Sequence, residues 1–172
     1  MSRTSPDFVE FATERSPHLY RAACVLTGDR HEAEDLTQET LAKVYRSWRK
    51  IRDMEAPAAY THKILVRTFV SQRRLRRYRE QPAGWIDAAA VSTTSDAHGD
   101  DATLRLALLD ALARLPPKDR AVLVLRYWEN RSVEETARAT TSSPASVRTR
   151  SHRALSRLRD LLGDQVYELT RS

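Results

Sequence analysis

The sequence predicts an all-α protein built as two small helical domains joined by a flexible acidic linker, and three observations carry that prediction. Apolar residues recur at helical spacing on both sides of residues 80–101 but not within them. Ser precedes Pro at Ser5-Pro6, Ser16-Pro17 and Ser143-Pro144, each pairing a hydroxyl N-cap with the residue best tolerated in the first helical turn. Four Gly and seven Pro among 172 residues are few for the repeated tight turns of an all-β fold. The expected division is an N-terminal helical domain over 1–79, a linker over 80–101, and a C-terminal helix-turn-helix domain over 102–172.

Each element has its own signal. From Ser5 a first helix places Phe8, Phe11 and Ala12 on one face, and from Ser16 a second helix does the same with Leu19, Ala22, Ala23 and Leu26 until Gly28 stops it. Asp29 followed by Glu32 has the form of a capping box, opening a third helix lined by Ala33, Leu36, Thr40 and Val44. A fourth starts near Pro57 and runs through Tyr60, Ile64 and Phe69 to about Arg77. Residues 80–101 lose the periodicity and gather Pro, Gly, Ser, Thr and acid around a lone Trp85. Helical spacing resumes at Leu104, Leu108, Leu112 and Leu115, stops at Pro116-Pro117, and returns in Ala121, Val122 and Leu125, with Tyr127 and Trp128 expected to pack. A short helix from Ser132 and a longer one from Pro144, with Val147, Leu155, Leu158 and Leu162 inward, complete the chain.

Several function classes are disfavoured. Cys24 is the single cysteine, so an internal disulfide and a multi-cysteine metal site are excluded, and the thiol reads as a small buried side chain. His18, His31, His62, His98 and His152 never fall at an HxxxH spacing, and no GxGxxG, GxxxxGK[ST] or GxSxG is present. The sequence therefore predicts no catalytic site, no metal and no cofactor. No apolar run reaches the roughly 18 residues of a membrane span and the N-terminus lacks a signal-peptide core, so a cytoplasmic chain with no membrane insertion is expected.

Charge supplies the positive signal. Residues 41–79 carry 12 basic and 2 acidic side chains and residues 102–172 carry 13 and 8, whereas 1–40 and 80–101 are net acidic. Two basic blocks on one chain suit two polyanion-facing surfaces. The helices at 132–140 and about 144–162, joined by Thr141-Ser142-Ser143, have the helix-turn-helix form, whose second helix enters the major groove. With Val147 inward, Ala145, Thr149, His152, Arg153 and Ser156 point away, flanked by Arg148, Arg150, Arg157 and Arg159. Arg148, Thr149 and Arg153 are the expected base readers, with Ser143, Ser146, Arg150, His152 and Arg157 completing the DNA-facing set. On the helix from Asp29, Glu34, Asp35, Gln38 and Glu39 face outward. An acidic and amide face repels phosphate and suits a protein partner. Glu134-Glu135 reads as a first-turn pair favoured by the helix dipole rather than a catalytic dyad.

At this point the residues meet a known family. Leu26-Thr27-Gly28-Asp29 followed by Ala33-Glu34-Asp35-Leu36-Thr37-Gln38-Glu39-Thr40 resembles the core-polymerase-binding segment of bacterial sigma factors. Leu115-Pro116-Pro117-Lys118-Asp119-Arg120-Ala121-Val122-Leu123-Val124-Leu125-Arg126-Tyr127-Trp128 and Ser132-Val133-Glu134-Glu135-Thr136-Ala137 are similar to the promoter-binding domain of the same family. The length is that of the extracytoplasmic-function type of the sigma-70 family. The resemblance implies that Glu34, Asp35, Gln38 and Glu39 dock on the clamp of the largest subunit of core RNA polymerase. It implies a -10 element surface at Trp48, Arg49, Lys50 and Arg52, with the loop from Asp53 and Met54 near a flipped-out base; the position of Trp48 at a helix end beside the basic loop suits either packing or DNA stacking. Lys63, Arg67, Arg73, Arg74, Arg76 and Arg77 would line the duplex and the displaced strand. The -35 element would lie on the 144–162 helix, and an anti-sigma factor is a further partner the family admits. The chain departs from the family at Arg67, where many relatives carry Asn, and at Thr140 and Thr141, where they carry Leu and a turn Gly. Thr is β-branched and unfavourable at positive φ, so a different turn geometry is expected. The competing readings are a stand-alone helix-turn-helix regulator on operator DNA and an interaction module that sequesters a transcription component.

Overall fold

The computed structural model describes the backbone of residues 5–78 and 99–171 and the side chains of 5–77 and 102–163. Every regular element among them is helical. The order is α1 (Pro6–Thr27), α2 (Arg30–Arg46), α3 (Trp48–Ile51), α4 (Pro57–Tyr78), α5 (Gly99–Ala113), α6 (Pro117–Leu123), a π-helical segment (Val124–Trp128), α7 (Val133–Thr140) and α8 (Pro144–Arg171). Most of the linker expected over 80–101, including Trp85 and His98, lies outside the described residues; residues 99–101 belong to α5.

The first two expected helices are one. Pro17 sits inside α1, where it cannot donate to a preceding carbonyl and costs about 3 kcal/mol. The burial of Phe8 on one side of it and of Leu19, Ala22, Ala23 and Leu26 on the other keeps both halves on one axis, because proline's φ is already helical. Ser16, expected as an N-cap, donates its hydroxyl to the Ala12 carbonyl instead. Gly28, at φ 70°, ends α1 and donates its N–H to the Cys24 carbonyl at 2.8 Å, a left-handed cap that an L side chain adopts only with strain. Cys24 is buried, as expected. Asp29 caps α2 by accepting the Glu32 N–H at 2.8 Å. The return half of the expected capping box is missing because the Glu32 carboxylate reaches Arg73 and Arg76 on α4. Ala33, Leu36, Thr40 and Val44 line the buried side of α2 as their spacing implied.

In the C-terminal half the α5 stripe is shifted. Leu109, Ala111 and Leu112 are buried, whereas Leu104 and Leu108 are 54% and 38% exposed, because α5 joins the core through its C-terminal half. After α6 the helix widens: the Glu129 N–H reaches back five residues to the Val124 carbonyl at 2.9 Å. Ala121 through Leu125 are buried in succession, and after the widened turn begins Tyr127 and Trp128 are outward at 57% and 49% exposure, against the packing expected of them.

The two halves share a core. Leu19, Leu26, Leu36, Leu65 and Phe69 of the N-terminal lobe pack in one cluster with Leu112, Leu115, Leu125 and Ala154 of the C-terminal lobe. Arg120, at 5% exposure, donates to the Leu26 carbonyl across the boundary and to Ala113 and Leu115 on its own side.

Helix α7 carries a complete capping box. The Ser132 hydroxyl accepts the Glu135 N–H at 3.0 Å and the Glu135 carboxylate accepts the Ser132 N–H at 2.8 Å. That backbone hydrogen bond, with help from the Ser132 hydroxyl, Arg131 and Arg138 and against a small burial penalty, holds the Glu135 carboxyl below the usual range. A carboxyl depressed on folding stabilises above its unfolded pKa, and the contribution is lost as pH falls through the folded value. In urea titrations, Ser132→Ala therefore costs about 1 kcal/mol. The deficit of Glu135→Gln relative to the parent is full above roughly pH 5 and disappears on acidification; a deficit independent of pH would show that no ionised cap contributes.

Candidate nucleic-acid and protein interfaces

Helices α7 and α8 meet through a turn in which Thr141 takes φ 53° and ψ 49°. The left-handed turn is thus present despite the threonine, contrary to the expectation of a different geometry. Backbone bonding explains how: the Ser142 N–H donates to the Ala137 carbonyl at 2.9 Å, closing α7. Helix α8 then starts with the Ser143 hydroxyl accepting the Ser146 N–H at 3.1 Å, so Ser143 acts first as a cap. Val147, Ser151 and Ala154 face the core, and Ser146, Arg148, Thr149, His152, Arg153, Ser156 and Arg157 are exposed. Arg148 lies 3.5 Å from Glu134 in a pair that is exposed on both sides, which water screens. Arg150 departs from the expectation of a DNA contact. It is partly buried and donates to Asp119 at 2.6 Å, tying α8 to α6.

On the opposite lobe, α2 exposes Glu34, Asp35, Gln38 and Glu39. Hydrogen bonding from Lys43, and more weakly from Gln72, holds the Glu39 carboxyl low against some burial. This is an anionic ridge, one turn and a half long, that a cationic protein surface complements.

On α3 and the chain after it, Arg49, Lys50, Arg52, Asp53 and Met54 are all exposed. Arg52 is within 3.6 Å of Asp7 and 3.5 Å of Asp53. Trp48, expected at the DNA, is a core residue: it is 7% exposed, with its ring centroid 5.5 Å from that of Phe8 and 4.8 Å from that of Phe11. No base reaches a ring enclosed in that way. Arg73 is likewise withdrawn, donating to the Thr27 carbonyl at 3.2 Å and to Glu32 at 2.6 Å, whereas Arg74 and Arg77 remain exposed. Lys63 lies 5.5 Å from the Tyr60 ring centroid, and burial, followed by Arg67 and Arg138, pushes its ammonium pKa down. It lines a cleft of about 330 Å³ between the lobes, together with Met54, Tyr60, Arg131 and Arg138.

Arg67, one turn further along α4 than Lys63, also reaches across to the other lobe. It donates to the carbonyls of Ala139 at 3.0 Å and Arg138 at 3.2 Å and to the Thr141 hydroxyl at 2.9 Å. Those carbonyls belong to the last turn of α7, which has no intrahelical donors for them and carries the negative end of the helix dipole. Two of the three departures from the family pattern, Arg67 and Thr141, therefore meet in one contact across the lobes. They are 74 positions apart, and no local spacing connects them.

Residues 11–79 match the family description Sigma-70 region 2, and residues 105–158 match Sigma-70, region 4. Over 156 residues the chain is 36% identical to the RNA polymerase sigma-E factor of Streptomyces coelicolor, an alignment that covers 91% of this chain and 86% of that protein. It belongs to the sigma-70 family, in the extracytoplasmic-function group. The group is named in a second relative, the ECF RNA polymerase sigma factor SigE of Mycolicibacterium smegmatis, 32% identical over 170 residues that cover 97% of this chain and 66% of that one. The fold is shared with the sigma factor RpoE of Bartonella quintana, solved in complex with the anti-sigma factor NepR, at a TM-score of 0.71 and 24% identity over 92% of this chain and 98% of that one. As a sigma factor the protein directs promoter-specific initiation by RNA polymerase. Its region 2 match spans α1 to α4 and its region 4 match spans α5 to the middle of α8. No helix among the described residues is long and apolar enough to cross a membrane.

The Arg67–Thr141 contact has a measurable signature in this sigma factor. A left-handed conformation costs a β-branched residue roughly 1–2 kcal/mol, offset in the parent by the hydroxyl's bond to Arg67. Thr141→Gly in an Arg67→Ala background stabilises the fold by about 1 kcal/mol, and by less when Arg67 is present. A double-mutant cycle with no coupling between the two positions would refute the contact.

Proposed function

We propose that the sigma factor divides its work among three exposed surfaces. The acidic ridge of α2, through Glu34, Asp35, Gln38 and Glu39, docks on the clamp of the largest subunit of core RNA polymerase. Arg49, Lys50, Arg52, Asp53 and Met54, with Lys63, Arg67 and Arg74 on α4, take the -10 element, and the exposed face of α8 takes the -35 element. It acts in the cytoplasm and contributes no catalytic group, the bond-making chemistry belonging to the polymerase. A protein inhibitor is included among the partners because a sigma factor of the same fold was captured with the anti-sigma factor NepR.

The observation that supports this reading is the opposite sign of two exposed faces on successive elements of one lobe. Glu34, Asp35, Gln38 and Glu39 on α2 form a surface that repels phosphate, while Arg49, Lys50 and Arg52 on α3 and the chain after it form one that attracts it. Opening DNA costs unstacking, and a basic groove beside a loop that can receive an extruded base offsets that cost by holding the single strand.

The two promoter elements also dictate a movement. Their names place them about 25 base pairs apart, on the order of 85 Å at about 3.4 Å per pair. Arg67 of the -10 surface hydrogen-bonds Thr141, three residues before α8, the helix of the -35 surface. The closed arrangement cannot hold both elements of one promoter, so promoter engagement requires the lobes to part.

In vitro transcription from a genomic library, with core polymerase and this protein, is expected to yield discrete starts sharing two upstream elements. Tight operator binding by the chain alone, with no new starts, would favour the stand-alone regulator. Changing both Asp35 and Gln38 to Ala is expected to weaken core binding while leaving the unfolding midpoint of the free chain in place; unaltered affinity would refute their role. Arg148→Ala and Arg153→Ala should each cost about 1–3 kcal/mol of promoter affinity and relax preference at one base position. A loss uniform across sequences would reduce them to phosphate contacts.

A further inference from the structure

Three side chains far apart in sequence converge where the lobes meet. His18 comes from α1, His62 from α4 and Glu129 from the residue that ends the π-helical segment. One ligand atom from each lies within 4.8 Å of the other two. His18 Nε2 is 3.3 Å from Glu129 Oε1 and 3.4 Å from Oε2, and His62 Nδ1 is 3.2 Å from Oε2. The imidazoles lie edge to face with centroids 4.9 Å apart. The His62 and Glu129 side chains are each 5% exposed, and His18 is 45% exposed. Glu129 Oε1 is buried and lacks a hydrogen-bond partner, its 3.3 Å approach to His18 having no bonding alignment.

We propose that His18, His62 and Glu129 form a binding site for a zinc-class divalent cation, which clamps the lobes of the free sigma factor together. Two imidazoles and one carboxylate are the donor set of three-ligand zinc sites, in which water takes the fourth position. Bonds of about 2.0–2.1 Å in a tetrahedron place ligand atoms roughly 3.3 Å apart. Both histidine–carboxylate separations already have that value, and only the separation between the two imidazole nitrogens must shorten. The half-exposed His18 ring has room to turn, and its open side leaves the fourth position to solvent. The donors also decide the metal class: calcium and magnesium require shells of oxygen, and copper(I) selects sulfur, whereas imidazole with carboxylate suits zinc and its neighbours. The unpartnered Oε1 marks the missing ligand, since a buried carboxylate oxygen without a partner is costly.

Two of the three ligands ride on the region 2 lobe and the third on the region 4 lobe. An ion held by all three binds the closed arrangement and not the parted one, so it shifts the population toward closure by mass action. This regulatory consequence rests on the sigma-factor reading in which the lobes part to engage a promoter; the ion site itself does not.

The test uses the free full-length chain, stripped with a chelator. Zinc is titrated in competition with a chromogenic chelator, and cobalt(II) is added separately to read the visible absorption of a four-coordinate site. One equivalent of tight zinc, a four-coordinate cobalt spectrum, and affinity weakened roughly tenfold or more by His18→Gln and by Glu129→Gln are expected. His18→Gln removes a half-exposed ring and is checked for an unchanged thermal midpoint without metal, so the test does not depend on His62→Gln folding. Absence of stoichiometric zinc, or parent-like affinity in both variants, would overturn the site and place any binding on exposed histidines such as His31 or His152. In a second arm, zinc is expected to slow capture of the parent by core polymerase and to leave His18→Gln unaffected. Equal capture with and without zinc, by a chain shown to bind it, overturns the clamp. A chain that binds zinc yet never associates with core polymerase instead counts against the sigma-factor assignment of the surfaces.

Discussion

Arg120 is 5% exposed, and a cation at that depth requires acceptors from whatever surrounds it. It finds them at the carbonyls of Ala113 and Leu115 in its own lobe and of Leu26 in the other, with the Phe69 ring centroid 5.6 Å from its guanidinium carbon. Burial, with Arg73 adding and Glu32 opposing, pushes its pKa down to about 10, a direction that reports the cost of keeping this charge out of water. Separating the lobes returns Leu26 to solvent and removes one acceptor from a group that needs several. The contact therefore links the apolar interface to a polar condition: the shared core forms only in the register that brings the end of α1 to Arg120.

The same device recurs at other helix ends. Arg73 donates to the Thr27 carbonyl at the end of α1, and Arg67 donates to the Arg138 and Ala139 carbonyls near the end of α7. A helix C-terminus offers carbonyls without intrahelical donors and a partial negative charge, and the planar guanidinium fork reaches more than one of them. Part of the basic charge that gives this chain its net +6 is consequently structural. Arg73, Arg76, Arg120 and Arg150 satisfy carbonyls or carboxylates within the fold, and Arg67 does so while the lobes are closed, so the charge left to face phosphate is smaller and more sharply placed than a tally along the sequence implies.

Local signals in the sequence were sound where the physics is local. Ser132 with Glu135, Asp29 at the start of α2, Gly28 at the end of α1 and the inward positions of α8 at Val147, Ser151, Leu155 and Leu158 lie where spacing and capping chemistry place them, although Leu161 rather than the expected Leu162 joins the core. The acidic ridge of α2 was legible for the same reason, since one helical face is a function of residue spacing alone. Failures arose where distant contacts override a local preference. Pro17 reads as a start because nothing nearby shows that Phe8 and Leu19 share a core. Trp128 reads as inward because α-helical spacing does not anticipate the widened turn that ends at it. Trp48 lies beside a basic loop and so reads equally as packing or as DNA stacking, and the rings that enclose it, Phe8 and Phe11, belong to α1 and have no local signal near it. The grouping of His18, His62 and Glu129 has no sequence signature, because its members are brought together by lobe closure over separations of up to 111 positions.

Lobe closure also bears on how an affinity for this chain is to be understood. A partner that requires the parted form meets only the fraction of molecules that are open, and its apparent dissociation constant is the intrinsic one divided by that fraction. A closure free energy of about 2.7 kcal/mol leaves roughly one molecule in a hundred open and weakens the apparent affinity about a hundredfold. For such a partner, residues buried in the shared core, such as Leu112, Leu125 or Ala154, set binding strength as directly as surface residues do, and with the opposite sign: loosening the packing between the lobes tightens the complex.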